Sequence, residues 1–153
     1  MRFRAAVLTK LRAPLVLDEL AVPRLEIGQV LVRITCSGVC GSQIGEINGV
    51  KGEDRFLPHL LGHEALATVL DVGPGVTKTR EGDNVVLHWR PSSGIQASPP
   101  KFESKKLGTV NAGWVTTFSE IAVISENRLT VVTPETNPEV GALMGCAVTT
   151  GLG

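Results

Sequence analysis

The sequence predicts a mainly β fold, a partly open barrel or sandwich of short strands with only a few short helices. Strand-like segments recur along the 153 residues, each closed by a turn signal. Glycine (17) and proline (9) are spread through the chain rather than gathered in linkers. Helical periodicity is confined to two short stretches. A chain of this length is one ordinary domain, which buries about 68–70% of its unfolded surface and needs no staples to fold.

Taken in order, Phe3 to Thr9, Leu15 to Glu19 and Gln29 to Ser37 are β-rich, and Val30-Leu31-Val32-Arg33-Ile34-Thr35 partly alternates with β-branched residues. Leu66 to Val72 follows, closed by Gly73-Pro74-Gly75. Gly82-Asp83 leads into Asn84 to Leu87, and Phe118 to Ile124 and Leu129 to Val132 complete the set. Ser42 to Ile47 has the makings of one or two helical turns, with Ser42 placed as cap. Pro138 to Ala147 predicts a second helix, with proline at its start and Glu139 in its first turn. Arg90 to Gly113, rich in Ser, Pro, Gly and Lys, shows no period and predicts an irregular lobe. There is no internal repeat.

Fifteen basic residues balance fifteen acidic ones. That charge argues against a nucleic-acid or membrane-surface protein. No apolar run approaches the roughly 18–20 residues of a membrane span, and the apolar stretch near the N-terminus is too short for a signal peptide. The expectation is a soluble, cytoplasmic domain. Three cysteines, Cys36, Cys40 and Cys146, make an odd number for a disulfide framework. Reduced thiols follow, each to be weighed as core packing, nucleophile or metal ligand.

The residues able to do chemistry are Cys40, the pair His63-Glu64, and Cys146. Cys40 lies in the glycine-rich turn Ser37-Gly38-Val39-Cys40-Gly41-Ser42, just after a strand, and His63 just before the next one. Two thiolates and an imidazole suit zinc. Three protein ligands leave a fourth position open, as in catalytic rather than structural zinc sites. The intervals between them match no compact ligand motif, so spacing alone leaves packing and ligation both open.

Gly62-His63-Glu64, with Cys40-Gly41-Ser42 before it and Gly145-Cys146 followed by Thr150-Gly151 after it, resembles the zinc-dependent medium-chain alcohol dehydrogenases. The resemblance runs through Ala5-Ala6-Val7-Leu8, Gly73-Pro74-Gly75-Val76, Gly82-Asp83-Asn84-Val85 and Thr117 to Val123 in the same order. Alcohol dehydrogenase is a standard example of a catalytic Cys₂His zinc site. The resemblance implies a GroES-like, partly open β-barrel as catalytic domain over residues 1–138, including the irregular lobe at about 90–113. Residues 139–153 become a connecting helix that carries Cys146, cut before a Rossmann cofactor domain. Cys40, His63 and Cys146 fall on the catalytic zinc ligands. Glu64 falls beside the metal, Ser42 on the hydroxyl that passes on the alcohol proton, Thr150 beside the nicotinamide, and Trp89 in the substrate pocket. The implied activity is a zinc- and NAD(P)-dependent oxidoreductase in which zinc stabilises an alkoxide or polarises a carbonyl. Its substrate is a small alcohol or carbonyl compound. The full-length protein is expected to be a homodimer or homotetramer, and the fragment by itself inactive.

Three departures qualify the resemblance. Gln43 stands where the family carries an acidic residue that orients the histidine; it keeps an acceptor but loses the charge. Such a change costs about 10–100-fold in metal affinity or activity unless another group compensates. Gly45 replaces a relay histidine found in some members. The lobe after Leu87 holds no cysteine, which excludes a structural zinc there by ligand count. Two other readings stand beside the enzyme: a non-catalytic GroES-like binding or oligomerisation module, and a zinc-free reductase relative. Among the remaining residues, His59 is expected at a surface or domain interface and His88 in a strand-end role. Cys36 is expected to be buried, Trp114 to pack, and Lys101, Lys105 and Lys106 to be solvated.

Overall fold

A computed structural model describes all residues from Met1 to Gly153. Its strands form two sheets. The first is a closed barrel of β1 (Arg2–Leu8), β2 (Val16–Ala21), β7 (Lys101–Ser104), β8 (Gly108–Asn111) and β4 (His59–Leu60), in that spatial order. The second is a five-stranded sheet ordered β10 (Leu129–Val132), β6 (Asn84–Leu87), β5 (Ala65–Val72), β3 (Gln29–Ser37), β9 (Ile121–Ser125). Its pairings are all antiparallel. No helix is long and apolar enough to cross a membrane.

The central strands explain why β3 alternates only in part. Val30 and Val32 enter one core with Ala122 and Ile124 of β9, whereas Leu31 enters a second core with Ile121 and Val123. Both faces of β3 and β9 are therefore buried, which favours a continuous apolar run over strict alternation. The second core fills the barrel, where Phe3 meets Phe102 edge-on at 5.4 Å between ring centroids. Each buried Val, Leu or Phe contributes about 1.5–3 kcal/mol.

The expected strands are present, with shifted ends. Ile121 rather than Phe118 opens β9, because Ser119 bridges to Ala5 of the barrel and bends the chain there. The stretch 90–113, expected to be irregular throughout, instead supplies the hairpin β7–β8 that closes the barrel. Its inward residues are Phe102, Ser104 and Val110. Strands of four residues show too little alternation to be read from sequence. Ser104 donates to the buried Asp18 carboxylate, joining the hairpin to β2. Lys101, Lys105 and Lys106 are exposed, as expected.

The first part of the lobe is held by the turn Glu126–Arg128. The Glu126 carboxylate accepts from the backbone N–H groups of Thr77 (2.7 Å), Lys78 (2.9 Å) and Ile95 (2.8 Å). Ser125 Oγ accepts from the Ala97 N–H at 2.7 Å, and Arg128 donates to the Trp89 carbonyl and to Gln96 Oε1. Burial opposes ionisation of Glu126, but those three N–H donors and the Lys78 charge prevail and hold its carboxyl below the usual value.

Residues 139–153 do not form the single connecting helix expected. Helix α2 (Pro138–Leu143) begins at Pro138, capped by Asn137, and stops before Gly145. Helix α3 (Ala147–Gly151) starts afresh after Cys146. A side chain at Gly145 would run into the Leu87 carbonyl and the Glu64 side chain, so the chain turns there against β5 and β6. Two further expectations are corrected. Cys36 is only half-buried, beside the register shift between β3 and β5. His59 is buried on β4, with Nε2 at 2.8 Å from Asp54 and Nδ1 at 2.9 Å from the Leu60 carbonyl.

Candidate metal centre

Three chain segments converge at one end of the larger sheet's interior strands, where β3 ends and β5 begins. Cys40 follows β3 and is the residue at which helix α1 (Gly41–Ile47) begins. Ser42 lies inside that helix, so it is not the cap the sequence suggested. The Gln43 N–H donates to the Cys40 carbonyl at 3.1 Å, and Gln43 Oε1 accepts from the Cys40 N–H at 2.9 Å. His63 enters between β4 and β5 on Gly62, whose φ of +106° and close approach to Thr117 admit no side chain. Cys146 caps α3 rather than riding on a longer helix.

One ligand atom each from Cys40, His63 and Cys146 lies within 4.8 Å of the others. Cys146 is buried and the other two are half-buried. His63 Nδ1 is engaged by Gln43 Nε2 at 2.7 Å and Ser42 Oγ at 3.4 Å. His63 Nε2 is buried and has no hydrogen-bond partner. A buried imidazole nitrogen without a partner is costly. Beside two thiols it is the donor set that a tetrahedral N/S metal such as zinc requires. The residues present therefore fit a metal ion.

The local electrostatics agree. Hydrogen bonds from the Ser42 backbone, then from its hydroxyl, draw the Cys40 thiol below its ordinary value, as at other helix N-termini. Burial pushes the Cys146 thiol up. Burial likewise lowers His63, favouring the neutral ring that a metal needs. Glu64, fully buried, accepts from the Ala147 N–H at 3.0 Å and lies against Gly38 and Gly145. Thr150 Oγ1 is 3.9 Å from Cys146 Sγ.

A cleft of about 580 Å³ opens beside the cluster, with His63, Gln43, Glu46, His59 and Trp114 in its walls. Trp114, expected to pack, is half-exposed here, with the Arg128 guanidinium 4.9 Å from its ring centroid. Trp89 is not among the lining residues; it is half-exposed and stacks under Arg90 at 5.3 Å. His88 has the expected strand-end role, Nδ1 lying 2.7 Å from the Arg90 carbonyl. The sequence favoured packing for Trp114 and a surface or domain interface for His59, because the segments that form the cleft meet only in the folded barrel.

A β-barrel packed on a sheet, with two thiols and an imidazole gathered where β3 ends and β5 begins, defines a domain whose residues fit a metal ion beside a cleft. Residues 26–135 match the alcohol dehydrogenase GroES-like domain, and the chain belongs to that family. It is 33% identical, over its whole length, to S-(hydroxymethyl)glutathione dehydrogenase of Synechocystis sp., and 32% identical to the Escherichia coli protein so named. It covers 48% of each, so the chain spans about half the length of these curated relatives. Among solved structures, an alcohol dehydrogenase zinc-binding domain protein from Burkholderia ambifaria superposes with a TM-score of 0.87 at 23% identity. The match covers 99% of this chain and 47% of that one. Benzyl alcohol dehydrogenase from Acinetobacter calcoaceticus gives 0.79 at 23% identity, covering 99% and 46%. At these identities the likeness establishes the fold.

Proposed function

We propose that the chain is the metal-holding catalytic portion of a zinc- and NAD(P)-dependent alcohol dehydrogenase-like oxidoreductase acting on a small alcohol or carbonyl compound. The observation that carries this reading is the convergence of Cys40, His63 and Cys146 around a partnerless His63 Nε2. These three residues would hold the ion. Bound zinc supplies Lewis acidity toward an alcohol or carbonyl oxygen.

The chain's own side chains supply the rest. Ser42 Oγ accepts from Gln43 Nε2 at 3.1 Å and is exposed, so its hydroxyl can exchange its proton with a substrate oxygen. Glu64 acts as a positioning residue, because its carboxylate is bonded to the backbone that presents Cys146. Thr150, exposed on α3, is available to contact the nicotinamide. Trp114 takes the pocket-wall role that the sequence had suggested for Trp89. Contacts to the dinucleotide would come mainly from the part of the relatives that this chain does not match.

Metal content of the purified chain, measured beside Cys40→Ser, tests the proposal. About one zinc per chain, lost in the variant, is the expected result. Absence of zinc from both this chain and a full-length protein containing it would overturn the reading in favour of a non-catalytic binding module.

A further inference from the structure

Gln43 sits behind the metal centre with its side chain almost wholly buried, and its amide can face only one way. Oε1 lies 2.9 Å from the Cys40 backbone N–H, which can only donate, so the atom facing it must be the oxygen. The amide NH₂ therefore faces His63 Nδ1 at 2.7 Å, with Ser42 Oγ at 3.1 Å. An NH₂ group has no lone pair to offer, so Nδ1 accepts, and the single proton of a neutral ring resides on Nε2.

That arrangement opposes ligation. Binding an ion through Nε2 requires a lone pair there and moves the ring proton to Nδ1, where it would point at the Gln43 NH₂. Turning the amide over sets the NH₂ against the Cys40 N–H instead. In either orientation one buried pair of donors faces each other. A carboxylate would accept from both groups at once and hold the ring with Nε2 open, as the partners of metal-ligating histidines usually do. Resting on the proposed zinc site, we infer that Gln43 is a positioning residue that holds His63 in the Nε2–H form and so makes this a weak, exchangeable metal site.

The test has two readouts, neither of which needs turnover. In the metal-free chain, long-range ¹H–¹⁵N correlations of the His63 ring should show a protonated Nε2 and a bare Nδ1. In Gln43→Glu, which keeps the side-chain length and the acceptor for Cys40, the proton should move to Nδ1. Chelator competition should then show zinc bound about 10–100-fold more tightly by Gln43→Glu than by the parent chain. A protonated Nδ1 in the parent chain overturns the inference without any variant. So does equal zinc affinity in a folded Gln43→Glu. If the proton moves as expected but neither chain takes up zinc, the zinc reading of the site falls, and with it the inferred effect on affinity.

Discussion

The Glu64 carboxylate accepts a hydrogen bond from the Ala147 backbone N–H at 3.0 Å, across 83 residues of sequence. Each partner is the immediate neighbour of a candidate ligand, His63 on one side and Cys146 on the other. One part-buried bond thus sets the separation of two candidate ligands that belong to different segments. Glu64→Ala should leave the Ala147 N–H without its partner and lower stability by about 1–3 kcal/mol, and it should weaken metal retention. Glu64→Gln, which keeps an acceptor, should lie closer to the parent chain. Urea unfolding and metal content measure both effects; equal losses in the two variants would show that the charge, not the bond, matters.

Gly145 admits the Leu87 carbonyl and the Glu64 side chain where a Cβ would stand. Gly145→Ala should displace the Cys146 turn and lower stability by about 1–3 kcal/mol, in the range of overpacked cores. Gly41→Ala, with open space around it, should change little. Thermal unfolding of the pair, with metal content, separates crowding from a general intolerance of alanine.

Glu126 collects three backbone donors, Ile95 from the lobe and Thr77 and Lys78 from the segment before β6. Its folded value lies below its unfolded one. Its stabilising contribution is therefore present above the unfolded value and is lost as pH falls through the folded value. Glu126→Ala should cost about 3 kcal/mol at neutral pH and should flatten the acid limb of the stability curve. Denaturant midpoints measured from pH 7 down to acid report both.

The two cluster thiols should react unequally. Hydrogen bonds from Ser42 favour the Cys40 thiolate, whereas burial disfavours that of Cys146. In the metal-free chain near neutral pH, iodoacetamide should label Cys40 about tenfold faster than Cys146. Added zinc should protect both. Peptide mapping over time gives the two rates; faster labelling of Cys146 would contradict the arrangement described.

The strand pattern was legible in sequence wherever a strand ran long enough to show its burial. Gln29–Ser37, Asn84–Leu87 and Leu129–Val132 stand where the β-rich runs placed them. The hairpin Lys101–Asn111 was not legible, because four-residue strands carry too few inward positions to mark a period. The helix expected across 138–147 failed at Gly145 for a reason outside the local sequence, the close approach of Leu87 from another strand. His59 was misjudged likewise, since the Asp54 that pairs with it meets it only through the fold.

The sequence by itself determined the strand-rich class and the absence of cysteine from the lobe, and its motifs carried the family resemblance that singled out Cys40, His63 and Cys146. These follow from composition, turn residues and motif chemistry, which are local properties. Only the tertiary structure decided that Trp114 rather than Trp89 lines the cleft and that Glu126 organises the lobe. It also turned the Gln43 amide so that a donor faces His63. Such facts depend on which groups meet across distant segments, and the direction of a hydrogen bond exists only once both partners are in place.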